Sequence, residues 1–112
     1  VQMGLSAAGL VMLESTAVEE IGRITNYCLG LYNDDCESSL KSKLDKVKKI
    51  SNKTTKFGIQ LGHAGRKAST QRPWEGRLFL RKHEGPWQTC APSSIPFDKG
   101  WHVPKKMNYD DM

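Results

Sequence analysis

At 112 residues, of which 38% are apolar, the chain has room for one small domain and is thinly supplied with the side chains that would fill its core. Its formal charge of +5 invites an acidic partner, but the lysines gather between Lys41 and Lys56 with no aromatic residues among them, which reads as a solvated helix face and not as a nucleic-acid surface. Three cysteines without Cys-x-x-Cys spacing indicate neither a disulfide framework nor a zinc site, and no apolar run approaches the ~20 residues that span a bilayer, so a soluble cytoplasmic protein with no membrane partner is expected.

In chain order, residues 1–8 read as the last turns of a helix, with Gly9 as its left-handed C-terminal cap. Leu10 to Leu13 is a continuous apolar run, the pattern of a strand buried on both faces in a parallel sheet, and the strand predicted over 10–16 ends in Glu14, Ser15 and Thr16. Residues 17–32 have little periodicity and are expected to form a loop. A helix is predicted over 34–51. Asn33 or Asp34 offers the N-cap, Asp34 with Glu37 resembles a capping box, and Cys36, Leu40, Leu44 and Val47 mark one apolar face. A second strand is predicted over 56–61.

Strand, helix and strand make a βαβ unit with parallel strands joined right-handedly. The C-terminal ends of such strands share the sheet edge where α/β enzymes place their chemistry, so Glu14, Ser15, Gln60 and His63 are expected on one side. Residues 62–106 carry five prolines and three tryptophans and are expected to be a long loop folded over that edge, too aromatic for a disordered linker. Residues 107–112 read as a helix start capped by Asn108. A chain that opens inside one element and closes at the start of another is expected to be a piece of a larger fold.

Gln60 carries the clearest chemical signal. An unpaired amide in a buried strand costs about 1–3 kcal/mol, so it either meets a neighbouring backbone group or meets a ligand. Its acceptor and two donors suit a heterocycle presenting both, such as the pyrimidine edge of a flavin. Gly62, Ala64 and Gly65 allow a tight turn that holds His63 and Arg66. His63 is then a structural histidine of its own loop or a site residue, and Arg66 and Lys67 are surface ion-pair partners or anion ligands. No phosphate-cradling glycine pattern, metal-ligand spacing or nucleophile elbow is present, so no catalytic or metal residue is assigned.

Gly58-Ile-Gln-Leu-Gly-His-Ala-Gly-Arg-Lys-Ala-Ser-Thr closely resembles the third-strand motif of the Old Yellow Enzyme family, the FMN-dependent ene-reductases, and in particular its bacterial NADPH dehydrogenase and xenobiotic reductase branch. Glu14-Ser-Thr-Ala-Val-Glu, Gly22-Arg-Ile-Thr and Leu29-Gly-Leu resemble the family's second strand and following loop, and Gln71-Arg-Pro-Trp-Glu-Gly and Gly100-Trp-His-Val-Pro its loop after strand three. The resemblance implies an α/β fold, as strand 2, helix 2, strand 3 and the long following loop of a (β/α)8 TIM barrel. It implies that Gln60 bonds the flavin's pyrimidine edge and that Ser15 contacts FMN where the family often has alanine; Gly62 also stands where alanine is common. The implied reaction moves hydride from NAD(P)H through FMN to an activated alkene such as an enone, in an enzyme that is a homo-oligomer when complete. The family's substrate-binding histidine pair, catalytic tyrosine and phosphate-binding residues have no counterpart in this sequence, so the 112-residue chain alone is expected to be inactive. The competing expectation is a non-catalytic relic or a basic binding module acting through a partner or nucleic acid.

Overall fold

The computed structural model describes residues 2–6 and 8–111. Its centre is β1 (Leu10–Ala17), flanked by β3 (Lys56–Gly62) on one side and the two-residue β2 (Leu29–Gly30) on the other, all parallel. Between β2 and β3 runs α2 (Asp34–Ile50), so that β1, α2 and β3 make the βαβ unit of an α/β chain. The 17–32 segment is therefore not only loop: it contains a 3-10 turn at Glu20–Gly22 and strand β2, which is held by Thr16 and Ala17 as pairing partners.

The helix starts where Asn33, in extended backbone, accepts a hydrogen bond from the Cys36 amide at 2.8 Å. Asn33 is the cap and Asp34 the first helical residue, so the capping box expected of Asp34 and Glu37 is not the start signal. Acids in the first turn and Lys48 and Lys49 in the last complement the helix dipole. The helix stops at Ser51, whose hydroxyl and amide both donate to the Val47 carbonyl. At the other end of the chain α1 is only Gln2–Leu5, and Gly9 has no positive φ, so the expected left-handed cap at Gly9 is absent; Val1 and Ala7 of that expectation lie outside the described residues.

Register decides which side chains meet. Leu10, Val11, Met12 and Leu13 pair in step with Lys56, Phe57, Gly58 and Ile59, and the register then shifts so that Ser15 pairs with Gln60. The residue gained at Glu14 behaves as a β-bulge, and it transfers Ser15 to the face that carries Gly58 and Gln60. The expectation that β1 is buried on both faces needs correction. Leu10 and Met12 are 57% and 53% exposed, because among the described residues nothing covers the face they share with Lys56 and Gly58.

The tightest packing lies elsewhere, above the C-terminal ends of the strands. Thr16, Ala17, Ala68, Ser69, Thr70, Leu80, Cys90 and Ala91 are buried there. The 62–106 segment that closes this layer has more structure than a loop: 3-10 turns at Gly65–Lys67, Pro73–Glu75 and Lys82–Glu84, and a short parallel pair of β4 (Cys90–Ala91) with β5 (Lys105–Lys106). It is tied down by Thr70 donating to the Ile24 carbonyl at 2.9 Å and by the Trp87 indole donating to the Ile21 carbonyl at 2.9 Å. Beyond it, Asn108 Oδ1 accepts from the Asp110 and Asp111 amides over a 3-10 turn at Tyr109–Asp111, where a helix start was expected.

Candidate functional site

Small side chains at the ends of β1 and β3 leave a cleft. Ser15, Ala17, Gln60 and Gly62 form its floor on two adjacent strands, and His63 and Ala64 border it, around a volume of about 250 Å³. Gln60 is exposed, which corrects its reading as a buried strand residue, and among the described residues neither its amide nor the Ser15 hydroxyl has a hydrogen-bond partner. The alternative of an amide bonded to neighbouring backbone is therefore not what the structure holds. A β-carbon at Gly62 would stand 2.8 Å from Ser15 Oγ, so the hydroxyl occupies the room that a larger residue at 62 would need.

His63 is fixed from both ends. Its Nδ1 accepts from the Gly65 amide at 3.0 Å, which places the ring proton on Nε2, and Nε2 then donates to Glu19 at 3.0 Å. Gly65 makes this turn in the left-handed region at φ 57°, and buried Gly22 lies against the ring so closely that any β-carbon there would collide with it. Arg66 is neither an ion-pair partner nor free for an anion: it donates to the Ile95 carbonyl at 2.9 Å and to Ser93 Oγ at 3.0 Å, strapping the later loop to the turn. Lys67 extends over the Phe97 ring, 4.4 Å from its centroid.

A second, larger cleft of about 910 Å³ adjoins the first, and the two share Ile24, Cys28, His63 and Ala64 as a common wall. Of the four residues expected at one edge, Ser15, Gln60 and His63 line the small cleft, while Glu14, displaced by the bulge, lines the large one. The far side of the large cleft is a stack in which the Arg72 guanidinium lies 4.3 Å from the centroid of Tyr27 and 5.3 Å from that of Trp74. Arg72 is also ion-paired with Glu75, and their mutual hydrogen bond holds the arginine above its ordinary pKa and the glutamate below its own. The Gln71-Arg-Pro-Trp-Glu-Gly motif carries Arg72 and Trp74, but its sequence gives neither them nor Tyr27 a site role; the run folds as a 3-10 turn with proline at its start. Among the described residues no three His, Cys, Asp or Glu side chains gather as a metal site would need, and no helix is long and apolar enough to cross a membrane.

No family model matches the chain. Individual proteins do. An NADPH dehydrogenase of Listeria monocytogenes serotype 4a is 40% identical over 99 residues, covering 88% of this chain and 24% of the relative. An NADH:flavin oxidoreductase of Gibberella zeae is 38% identical over 112 residues, covering 93% of this chain and 25% of its own length. An NADPH dehydrogenase of Bacillus licheniformis is 33% identical across 100% of this chain and 28% of its own. The chain spans about a quarter of the length of the curated relatives it matches, and along most of its own length it is similar to one segment of proteins named NADPH dehydrogenase and NADH:flavin oxidoreductase.

Proposed function

We propose that the chain is part of an FMN-dependent NAD(P)H oxidoreductase of the Old Yellow Enzyme type, contributing strand 2, helix 2, strand 3 and the following loop of a (β/α)8 barrel. In this reading Gln60 and Ser15 hold the pyrimidine edge of the flavin. The observation that carries it is their pairing: an unpartnered amide and an unpartnered hydroxyl face one cleft from adjacent strands, over a floor made flat by Ala17 and Gly62. The amide supplies both donors and an acceptor, and the hydroxyl one more of each, which is the complement a heterocyclic imide edge requires. At about 250 Å³ the cleft is below the ~300 Å³ of small-molecule sites, so it takes one edge of a ring system and not the whole cofactor. No cation lines it, so the phosphate end belongs elsewhere.

Bound flavin would supply hydride transfer from NAD(P)H to an activated alkene. The residues of this chain orient the ring: Gln60 and Ser15 fix its edge, and the His63–Glu19 pair braces the turn above it. None of them is assigned a proton-transfer role. The 112-residue chain by itself is inactive in this reading, and the whole enzyme is a cytoplasmic homo-oligomer. A graft tests the proposal. Residues 1–112, placed in the Listeria NADPH dehydrogenase in exchange for its matching segment, should give a flavin-loaded, NADPH-oxidising protein. Gln60→Ala in that graft should weaken FMN about tenfold or more, the usual loss for a polar group left without its partner. A folded graft that stays colourless, or whose flavin affinity ignores Gln60→Ala, sinks the reading.

A further inference from the structure

We propose that the larger cleft seats the adenosine-phosphate arm of the reducing nucleotide, with Tyr27 and Trp74 as stacking faces for the base and Lys67 and Arg77 as phosphate ligands. The inference rests on the oxidoreductase reading above for the class of ligand, and on separate residues for its geometry.

Three features of the cleft point this way. Its size comes first: at about 910 Å³ it is near the top of the ~300–1,000 Å³ range of small-molecule sites, far more than a small alkene or a lone nicotinamide ring fills. Its position comes second. It shares a wall with the Gln60 cleft, so a dinucleotide whose nicotinamide lies against a flavin edged in the small cleft extends its other half into the large one.

Third is its chemistry. Tyr27 and Trp74 are 72% and 76% exposed, yet they are not loose: the Arg72 guanidinium, anchored by Glu75, packs over both rings while most of their surface stays open to solvent. Exposed, pre-positioned aromatic faces are what a stacking base uses, and arginine beside them adds cation–π attraction. Of the charged residues lining the cleft, Lys67, Arg72 and Arg77 are cations and Glu14 is the acid. Arg72 is committed to Glu75, but among the described residues Lys67 and Arg77 have no acid partner, so their charge is available to phosphate. Single-stranded nucleic acid uses the same kinds of group along a basic track. Here the exposed lysines of α2 do not line the cleft, and one aromatic stack with two cations that lack an acid partner matches a single nucleotide.

The test titrates the 112-residue chain with AMP while following tryptophan emission, with circular dichroism on the same samples. AMP should quench the emission saturably, and nicotinamide mononucleotide, which lacks the adenosine, should not compete. Arg77→Ala should weaken AMP about fivefold or more and Trp74→Leu should remove most of the quench, with circular dichroism unchanged. If the chain is unfolded alone, AMP should restore its helical signal. Absence of both quenching and ordering overturns the proposal, as does a short oligoadenylate that binds more than about tenfold tighter than AMP, which would mark a nucleic-acid track. Failure of the flavin reading appears in different data, as a graft whose FMN affinity is indifferent to Gln60→Ala while AMP binding to this cleft persists.

Discussion

Ser15 and Gly62 divide one small space between them. Because Ser15 Oγ stands 2.8 Å from where a β-carbon on residue 62 would lie, the serine and the glycine are a matched pair. Gly62→Ala should force the Ser15 hydroxyl out of its rotamer at a cost of about 0.5–1.5 kcal/mol, and Ser15→Ala should remove that penalty. Chemical denaturation of the two single variants and the double variant measures the coupling. Additive effects would show that the two positions do not compete. Ser15 and Gln60 could be placed together from sequence, since apolar runs ending in polar residues mark strand ends and parallel strands align those ends. Their face could not: it depends on the bulge at Glu14, and no glycine or proline there announces it. His63 shows the same limit, since its hold on Gly65 is a local turn while Glu19, 44 residues earlier, reaches it only through tertiary folding.

At the scale of elements, the helix was the most legible part because its signals are local. A cap, an acidic first turn, a basic last turn and four apolar positions on one face all lie within its own residues. None of those apolar residues is fully buried in the structure, so the helix leans on its ends more than on its packing. Asn33→Ala should therefore destabilise the chain by about 1 kcal/mol, with Asn33→Asp nearly neutral. Helical circular dichroism during thermal unfolding is the measurement, and an unchanged midpoint for the alanine variant would contradict the capping role. Strands β2, β4 and β5 were not legible, since each has two residues and exists only through a partner distant in sequence. The buried layer over the strand ends escaped the reading for a related reason. Apart from Leu80 it is built from residues such as Ala68, Ser69, Thr70, Thr89, Cys90 and Ala91, which are small or polar and make no apolar period.

The molecule as a whole is too open for its mass. A folded monomer of 12.6 kDa exposes about 6,200 Å², whereas this chain exposes 8138 Å². Its radius of gyration is 16.8 Å, against about 13 Å for a compact domain of the same length. The surplus of roughly 1,900 Å² is as large as the total area buried in a standard protein–protein interface. Much of it is apolar and lies on the sheet: Leu10, Met12 and Leu61 are each more than half exposed. Such surface is stable in water only when other polypeptide covers it, whether from a longer chain or from other molecules. The purified 112-residue chain should accordingly self-associate at micromolar concentrations and bind a hydrophobic dye, and its urea transition should be shallow, because little area separates its folded and unfolded states. Light scattering, dye fluorescence and urea titration together decide the matter. A monodisperse, dye-silent chain with a steep, cooperative transition would mean that the open sheet face closes in solution. The Leu10, Met12 and Lys56 surface would then be the place to look for the rearrangement, since it is the side of the sheet left uncovered below Ser15 and Gln60.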